Sequence, residues 1–323
     1  MLIATRSPEG GLWTWDGDER PPVQVAHAPD TAFALPLPDG RVVTLGGQEQ
    51  GHLRLLERQG ETYAVVAEVA TGGGEPCHAA LLPGGEHVAL VNYFLDGSVA
   101  VVALAGGPDG GPVLVQQIVL DEPGAGTVPD RQEAPHPHFV LVVDAETVLV
   151  SDLGCDRIRR FSWREGRLEQ TGSCATPPGS GPRHLAIHGA ALVASAELSN
   201  EVLAAPLADV LGGEAEWQAL PASRSGLSSA REGTPPLTHP GEIVVSSTGR
   251  VYVANRGADT LGVLDLVGLA TLAWSAELPA GGAWPQHVML QGDEAYVALR
   301  DANLVVGPRA SASVPAPVWI AAP

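Results

Sequence analysis

The chain has 323 residues, 45% of them hydrophobic, with 39 glycines and 28 prolines that follow no collagen-like period. This composition can form a buried core with many turns, which excludes a disordered or collagen-like chain. The 37 acidic residues outnumber the 18 Lys and Arg and give a formal net charge of −19, which disfavours nucleic acid as a partner because like charges repel.

The first predicted strands come from residues 2–15, which read as two strands around a turn at residues 8–11. From Phe33 onward, one pattern of three short strands joined by tight turns recurs along the chain. In the copy that begins at His78, Gly84 and Gly85 make the first turn, and Asp96 and Gly97 make the second. Residues 317–320 read as a last strand.

The spacing of the copies predicts the fold. They begin at residues 33, 78, 138, 184, 242 and 287, which are 45, 60, 46, 58 and 45 residues apart. These separations are close to the period of about 40–50 residues in four-stranded propeller blades, and each leaves room for a fourth strand. Strands from both chain ends can supply a seventh blade, which removes the exposed strand edges of an open array.

We therefore predict an all-β protein with a single domain over residues 1–323. The expected fold is a seven-bladed β-propeller with four-stranded antiparallel blades, whose ring is closed by the N- and C-terminal strands. The alternative is a β-sandwich with coincidental spacing. It is disfavoured because sandwiches seldom repeat the same strand-start residues at a fixed period.

The three cysteines are Cys77, Cys155 and Cys174, an odd number without metal-type spacing. They argue against a disulfide framework and against a cysteine-ligated zinc site. The N-terminal residues lack a signal-peptide pattern, and no apolar run has membrane-spanning length. We expect a reduced, cytoplasmic protein with no membrane partner, and the sequence leaves its oligomeric state open.

The register of a propeller predicts which polar side chains share a face. The start of each first strand and the end of its antiparallel second strand should lie together. The first-strand starts are His78, His138, His184, Glu242 and His287. The second-strand ends carry Asn92, Tyr93, Asp152, Glu197, Asn255, Arg256 and Arg300. These twelve polar residues are more than a core requires, because buried polar groups cost free energy unless paired.

The long connections 121–135 and 221–240 either overhang that face or are inert surface loops.

These residues also carry a resemblance. The chain resembles the propeller-type 6-phosphogluconolactonase family, which includes the fungal carboxy-muconate lactonizing enzymes, over nearly its whole length. The most specific match is Gly-Ser-Gly-Pro-Arg-His at residues 179–184, followed by Ala-Glu-Leu-Ser-Asn at residues 196–200. Residues 151–156 and 254–256 and the Glu-Ile pair at Glu242 support it.

The resemblance implies site residues by type. The family's active-site His falls on His138, its Arg on Arg183, its Glu on Glu197 and its second Arg on Arg256. The chain departs at Ala196, where the family has Asn. It departs again at residues 238–240, where bacterial members tend to carry Arg and Trp. The missing Arg weakens the expectation that the substrate carries a phosphate more than it weakens the expectation of lactonase activity.

Lactone hydrolysis needs a base for water and a cation or hydrogen-bond donor at the carbonyl oxygen. His138 is the candidate base, since imidazole titrates near neutral pH, and Glu197 would orient it or act as the base itself. Arg183 would clamp the oxyanion or a carboxylate, and Arg256 would hold a substrate phosphate or carboxylate. Candidate substrate-binding residues are His78, His184, Glu242, His287, Arg300 and Asp152.

Structural roles remain open for several of these residues. His78 and His287 are also consistent with inter-blade hydrogen bonding, Glu197 and Arg256 with a mutual ion pair, and Asp152 with a turn cap.

The resemblance implies a metal-independent lactonase without cofactors, acting on a small anionic sugar lactone such as 6-phosphogluconolactone in the pentose phosphate pathway. The alternatives are a lactonizing cycloisomerase and a non-enzymatic binding propeller. A calcium-dependent propeller lactonase fits less well, because a ring of His and Arg suits a hard cation poorly. The sequence has no Gly-rich phosphate loop, HExxH motif or convincing nucleophile elbow, which disfavours a conventional serine hydrolase.

Overall fold

The computed structural model describes residues 1–94, 97–225 and 238–322. Within them the chain forms 28 β-strands, one short α-helix, α1 (Leu207–Gly212), and a single 3-10 turn at Pro108–Gly110. The strands form seven four-stranded sheets, which we number as blades 1 to 7. Asp96 of the predicted turn and residues 226–237 of the predicted long connection lie outside the described residues.

Three strands precede the first complete blade, and blades 1 to 3 follow them along the chain. These three strands are β1 (Leu2–Thr5), β2 (Gly11–Thr14) and β3 (Val23–His27). Blade 1 contains β4 (Thr31–Pro36), β5 (Val42–Gly46), β6 (His52–Gln59) and β7 (Thr62–Ala70). Blade 2 contains β8 (Gly74–Leu81), β9 (His87–Phe94), β10 (Ser98–Ala103) and β11 (Val113–Val119). Blade 3 contains β12 (Pro137–Val142), β13 (Thr147–Asp152), β14 (Arg157–Arg164) and β15 (Arg167–Ala175).

Three further blades follow the same order. Blade 4 contains β16 (Pro182–His188), β17 (Ala191–Ala196), β18 (Glu201–Pro206) and β19 (Gln218–Pro221). Blade 5 contains β20 (His239–Val245), β21 (Arg250–Arg256), β22 (Thr260–Gly268) and β23 (Thr271–Pro279). Blade 6 contains β24 (Pro285–Gln291), β25 (Glu294–Leu299), β26 (Leu304–Val306) and β27 (Ser311–Ser313).

Blade 7 combines both ends of the chain. The last strand, β28 (Pro317–Ala321), pairs with β1, and the sheet order is β28-β1-β2-β3. Thus β28 holds the place that the first strand of the blade has in blades 1 to 6. Seven four-stranded antiparallel blades, with the seventh shared between the chain ends, confirm the predicted seven-bladed β-propeller.

The chain divides into two compact units. The first comprises Met1–Ile3, Trp13–Val23 and Cys174–Pro323, and the second comprises Ala4–Leu12 and Gln24–Ser173. Blades 4 to 6 lie in the first unit, and blades 1 to 3, except the last two residues of β15, lie in the second. The single domain expected for residues 1–323 stays a prediction. Among the described residues, no helix has the length and apolar character needed to cross a membrane.

The second strand of a blade is buried on both faces, and this explains its composition. Every residue of β17, with the sequence Ala-Leu-Val-Ala-Ser-Ala, is buried, and so are the last five residues of β13. Strands covered on both sides read as continuous apolar runs. The fourth strand β11 instead alternates between exposed and half-buried residues, which is typical of a strand with one face in water.

Each unit has its own apolar core between neighbouring blades. In the second unit, Val101, Val150 and Phe161 belong to a cluster that joins blades 2 and 3, and all three are fully buried. In the first unit, Val193 and Val253 belong to the corresponding cluster of blades 4 and 5. Burial of these apolar side chains stabilises the packing of neighbouring blades, and the polar strand ends are part of those blades.

A β-bulge recurs at the start of the first strand in blades 1 to 6. In each first strand, one or two residues are left out of the pairing just after the residue that pairs with the end of the second strand. The skipped residues are Ala32, Cys77, His138, Arg183 with His184, Gly241 with Glu242, and Gln286. A bulge bends its strand and re-aims a side chain. The first strands therefore begin one to four residues earlier than predicted, because pairing continues beyond the bulge.

The bulge also refines the predicted equivalence of the first-strand starts. His78 and His287 pair directly after their bulges, opposite Val91 and Ala298. His184 and Glu242 occupy the same place, two residues after a proline that pairs with the second strand. His138 instead directly follows such a proline, Pro137. It therefore occupies the position that Cys77 and Gln286 have in their blades.

Candidate active site

The two pieces of the family-like motif contact each other in blade 4. The amide N–H of Glu197 donates to the carbonyl oxygen of Gly181 at 3.0 Å, and that of Leu198 donates to Ser180 at 3.1 Å. Gly181 has a φ of +57°, and a Cβ atom there would lie 2.5 Å from the Leu198 side chain. Glycine is therefore needed where the chain enters the bulge that carries Arg183.

Two arginines share one carboxylate oxygen in the first unit. Arg183 Nε lies 2.9 Å and Arg256 Nη2 lies 2.6 Å from Oε2 of Glu197. All three residues are at least nine-tenths buried. Arg256 is held further by a 2.9 Å hydrogen bond from Nε to the His239 carbonyl oxygen. The ion pair between Glu197 and Arg256, which the sequence left open, is present, and Arg183 joins it.

Among the described residues, this cluster brings two guanidinium groups to one carboxylate. Buried charges need a counter-charge, because desolvation is costly. A cluster of this composition, in a protein of net charge −19, is suited to a small anion or to an oxygen that gains negative charge.

A second buried carboxylate joins blades 4, 5 and 6. Oε2 of Glu242 lies 3.1 Å from His184 Nδ1 and 2.9 Å from His287 Nε2. Its Oε1 accepts a 3.2 Å hydrogen bond from the Ile243 amide. The backbone of His184 is fixed by Ser195, whose Oγ accepts from the His184 amide at 3.1 Å. The predicted residues His184, Glu242 and His287 thus form one hydrogen-bonded group.

Burial and charge set the ionisation of this group. Burial, and then the nearby Arg183 guanidinium, lower the pKa of His184 to about 4, against the opposing attraction of Glu242. Burial also acts to raise the pKa of Glu242, but attraction to His287 and His184 and their hydrogen bonds outweigh it and hold that pKa well below its ordinary value. At neutral pH the group therefore contains a carboxylate and a neutral His184.

An aromatic side chain lies beside the arginine cluster. The ring centre of Trp284 is 5.8 Å from the Arg256 guanidinium and 4.8 Å from that of Arg300. Arg300 also pairs with Asp301 at 2.7 Å, and 37% of its side chain is exposed. The sequence reasoning missed Trp284, although its position directly before Pro285, where a copy of the repeat begins, was a usable signal.

His138 lies in the second unit, on the bulge of β12. Its Nδ1 is 3.8 Å from Cys77 Sγ, and its ring meets the Tyr93 ring edge-on at 5.5 Å. The side chain is half-buried. The structure thus places Arg183, Glu197 and Arg256 together in one unit and His138 with Cys77 and Tyr93 in the other.

His78 has the contacts of a core histidine. Its ring stacks on Phe139 at 3.8 Å and lies 4.5 Å from the Phe33 ring. Its Nδ1 accepts a 3.2 Å hydrogen bond from the Val140 amide. These contacts support the inter-blade role that the sequence left open, and a substrate-binding role of His78 stays a prediction.

Asp152 is fully buried and uses both of its oxygens within the protein. Oδ1 accepts from the amides of His136 and Cys155, at 2.9 and 3.2 Å. Oδ2 accepts from Arg159 Nε and Nη2, at 2.9 and 2.6 Å. Capping the turn at Cys155 is therefore one of its roles. Substrate binding by Asp152 stays a prediction, and sequence reasoning missed Arg159 because a single Arg in a strand gives no signal of burial.

The connection over residues 121–135 is tied down by polar contacts. The fully buried Gln132 donates to the Leu153 carbonyl oxygen at 3.0 Å and to Asp156 at 2.8 Å. His136, which the sequence reasoning also missed, bonds to the Tyr93 carbonyl oxygen at 3.0 Å and to Glu133 at 2.9 Å. The connection thus belongs to the structured part of blade 3.

Among the described residues, one group has three potential metal ligands close together, namely Glu122, Asp152 and Cys155. Arg159 forms ion pairs with both carboxylates, so its guanidinium supplies the positive charge that a metal would bring. Burial, and then the charge of Asp152, raise the pKa of Cys155 to about 12, which keeps its thiol protonated. A protonated thiol is a poor ligand, so these residues do not fit a metal ion.

Known proteins share this architecture. Residues 35–306 match the family model described as Lactonase, 7-bladed beta-propeller. A 6-phosphogluconolactonase of Bacillus subtilis (strain 168) is 31% identical over 231 residues, a match that covers 70% of this chain and 62% of the relative. The chain thus spans about three fifths of that relative's length.

Solved structures show the same fold. The periplasmic gluconolactonase of Pseudomonas aeruginosa has a TM-score of 0.84 at 21% identity, over 98% of this chain and 97% of that one. A protein from Lactobacillus plantarum has a TM-score of 0.84 at 19% identity, over the same shares of the two chains. Since the family model covers most of the sequence, the chain belongs to the lactonase family of seven-bladed β-propellers.

Proposed function

We propose that the protein hydrolyses a small anionic sugar lactone, of the 6-phosphogluconolactone type, without a metal ion. The observation that carries the proposal is the buried pair of guanidinium groups that share Glu197. Membership in the lactonase family and similarity to a 6-phosphogluconolactonase support it. A cytoplasmic location and a role in carbohydrate metabolism belong to the same proposal.

Arg183 and Arg256 would stabilise negative charge on the lactone. When water attacks the carbonyl carbon, the π electrons move to the carbonyl oxygen, and fixed donors stabilise that oxyanion without reorganising. A guanidinium suits this task because it is always charged and donates two parallel hydrogen bonds. One arginine would hold the oxyanion and the other an anionic substituent of the substrate.

Glu197 fits an anchoring role better than the role of base. Its Oε2 is already engaged by two cations, and proton abstraction would require it to compete with both. His138 remains the proposed base, which would take a proton from the attacking water and return it to the ring oxygen as the C–O bond breaks. The products are then a carboxylate, a hydroxyl group and one released proton.

The test is turnover of 6-phosphogluconolactone in the presence of a chelator. For the wild type we expect hydrolysis well above the spontaneous rate. Arg183→Ala and Arg256→Ala should each lower kcat/KM on the order of 10²–10³-fold, as removal of an oxyanion donor does. His138→Ala should lower kcat on the order of 10²-fold or more if it is the base.

The matched control is Arg164→Ala, which removes an exposed arginine that pairs with the exposed Glu146. It should leave turnover unchanged. Unphosphorylated gluconolactone and a carboxy-muconate lactone, tested in parallel, separate a phosphate site from a carboxylate site and from a cycloisomerase. A wild type no faster than spontaneous hydrolysis with every lactone overturns the proposal.

A further inference from the structure

The group around Glu242 restricts where the imidazole protons lie. A carboxylate only accepts hydrogen bonds, so each ring nitrogen that contacts it must carry the hydrogen. His184 therefore donates from Nδ1 at 3.1 Å and His287 donates from Nε2 at 2.9 Å, both to Oε2. The opposite tautomer of either ring would place two lone pairs against each other.

The low pKa of Glu242 supports this assignment. Attraction to His287 and His184 and their hydrogen bonds outweigh burial and keep that carboxyl ionised, so it remains a pure acceptor at neutral pH. Its second oxygen, Oε1, accepts from the Ile243 amide at 3.2 Å, which fixes the orientation of the carboxylate. Both imidazoles are thus held against a fixed acceptor.

The neutral Nε2–H form of His287 has a lone pair on Nδ1. In a neutral imidazole that donates from Nε2, the other nitrogen is an acceptor. Among the described residues, His287 Nδ1 is shielded from solvent and has no hydrogen-bond partner. Its ring neighbour Trp319, at 6.0 Å between ring centres, presents an aromatic face. Buried acceptors nearly always receive a donor, so this nitrogen requires one that these residues do not supply.

His78 shows what a satisfied histidine looks like at the same position of the repeat. Both residues pair directly after the bulge of their first strand. Nδ1 of His78 accepts from the Val140 amide at 3.2 Å, and its ring is stacked on Phe139. The described part of the chain offers His287 no such amide donor, and 15% of its side chain is exposed. His78 is therefore a core histidine whose acceptor nitrogen is satisfied, whereas Nδ1 of His287 can still accept a hydrogen bond.

We propose that Glu242 is a positioning residue that locks His287 in the Nε2–H tautomer, so that His287 Nδ1 accepts a hydrogen bond from an O–H group of the reaction. The donor is a hydroxyl of the lactone or the attacking water, which share this chemistry. The inference rests on the proposed lactone hydrolysis and names a residue that recognises a reactant. His287 would then be a specificity residue in the first case, and in the second it would orient the attacking water by accepting a hydrogen bond from it.

The tautomer can be tested without any substrate. Nitrogen NMR of ¹⁵N-histidine-labelled protein at neutral pH should show His287 protonated at Nε2 and unprotonated at Nδ1. Glu242→Gln should remove this preference, because the amide can donate as well as accept, and Glu242→Asp should largely retain it. A wild-type His287 protonated at Nδ1, whether neutral or cationic, overturns the proposal.

Kinetics with His287→Gln test the acceptor. The glutamine amide keeps an N–H donor near the position of Nε2 but has no lone pair at the position of Nδ1. We expect kcat/KM for gluconolactone to fall on the order of 10²-fold. His27→Gln, which changes an exposed histidine, is the matched control and should leave the rate unchanged.

The pattern of the loss identifies the donor. If KM rises for gluconolactone while an unsubstituted δ-lactone is unaffected, the donor is a substrate hydroxyl. If kcat falls for both lactones, the donor is water. Unchanged kinetics for both, with the thermal unfolding temperature also unchanged, overturn the acceptor role. Wild-type protein inactive on every lactone overturns the proposed function and the acceptor role with it, whereas the NMR spectrum still decides the tautomer lock.

Discussion

Two buried carboxylates, Asp152 in blade 3 and Glu242 in blade 5, differ in the partners they hold. Asp152 accepts hydrogen bonds from two backbone amides and from Nε and Nη2 of Arg159, which also pairs with Glu122. Glu242 binds one amide and two imidazoles, each with a further ring nitrogen. Burial of a charge is therefore a weak guide to function, and the remaining hydrogen-bonding capacity of its partners is a better one.

The largest expected effect comes from breaking the Asp152 ion pair. Asp152→Ala should lower the free energy of unfolding by about 3 kcal/mol, because Arg159 would keep only its ion pair with Glu122. If Asp152 has only its turn-capping and ion-pair roles, lactone turnover per folded molecule should not change, whereas a raised KM would support the predicted substrate-binding role. Urea denaturation measures the loss, and Asp144→Ala, which removes an exposed turn cap, should cost no more than about 1 kcal/mol. An Asp152→Ala variant that keeps its stability but loses turnover would contradict the prediction, because Asp152 would then act in the reaction and not in stability.

The next effect is a loss of stability in acid that comes from the Glu242 group. The pKa of His184 is about 4 in the folded protein and about 6.5 in an unfolded chain, so between these values the unfolded state binds more protons. Stability should therefore fall as pH drops from about 6.5 toward about 4. The lowered pKa of Glu242 acts in the same direction at lower pH. Arg183, Glu242 and His287 are the charged or titratable groups that act on His184.

Urea denaturation at about pH 7 and about pH 5 checks this prediction. The wild type should lose about 2 kcal/mol more than His184→Gln over this interval, since only the wild type must protonate a buried imidazole on unfolding. His27→Gln should behave as the wild type does. Equal pH dependence in wild type and His184→Gln would contradict the prediction.

The smallest effect is expected at Arg300, a cation near the same site but exposed. Its contacts are the ion pair with Asp301 and the face of Trp284. Arg300→Ala should change the free energy of unfolding by less than about 1 kcal/mol, as is typical of exposed pairs. If the predicted substrate-binding role is correct, KM rises while kcat stays constant. A large loss of stability would contradict the prediction, because the exposed Arg300 would then stabilise the fold as strongly as a buried charge does.

The sequence predicted the blades because their turns and apolar runs are local features. Strands around His78 and His184 were placed from glycine turns and periodic spacing alone. The bulges depend on backbone pairing across two strands and left no local signal. The start positions were treated as equivalent, although His138 directly follows its proline and the other start residues lie two positions after theirs. The partners of Glu242 depend on side chains from β16 and β24, and the burial of Arg159 depends on Asp152 and Glu122. Such contacts between distant residues cannot be predicted from residue type.

Blade 7 has a consequence for how the chain folds. β1 pairs with β28, which lies more than 300 residues later in the chain. Contacts between such distant segments form slowly, because a long loop must close first. Until then β1 has an open edge that another molecule's last strand can occupy. We therefore expect strand-exchanged oligomers to appear during refolding at high protein concentration and to decrease on dilution.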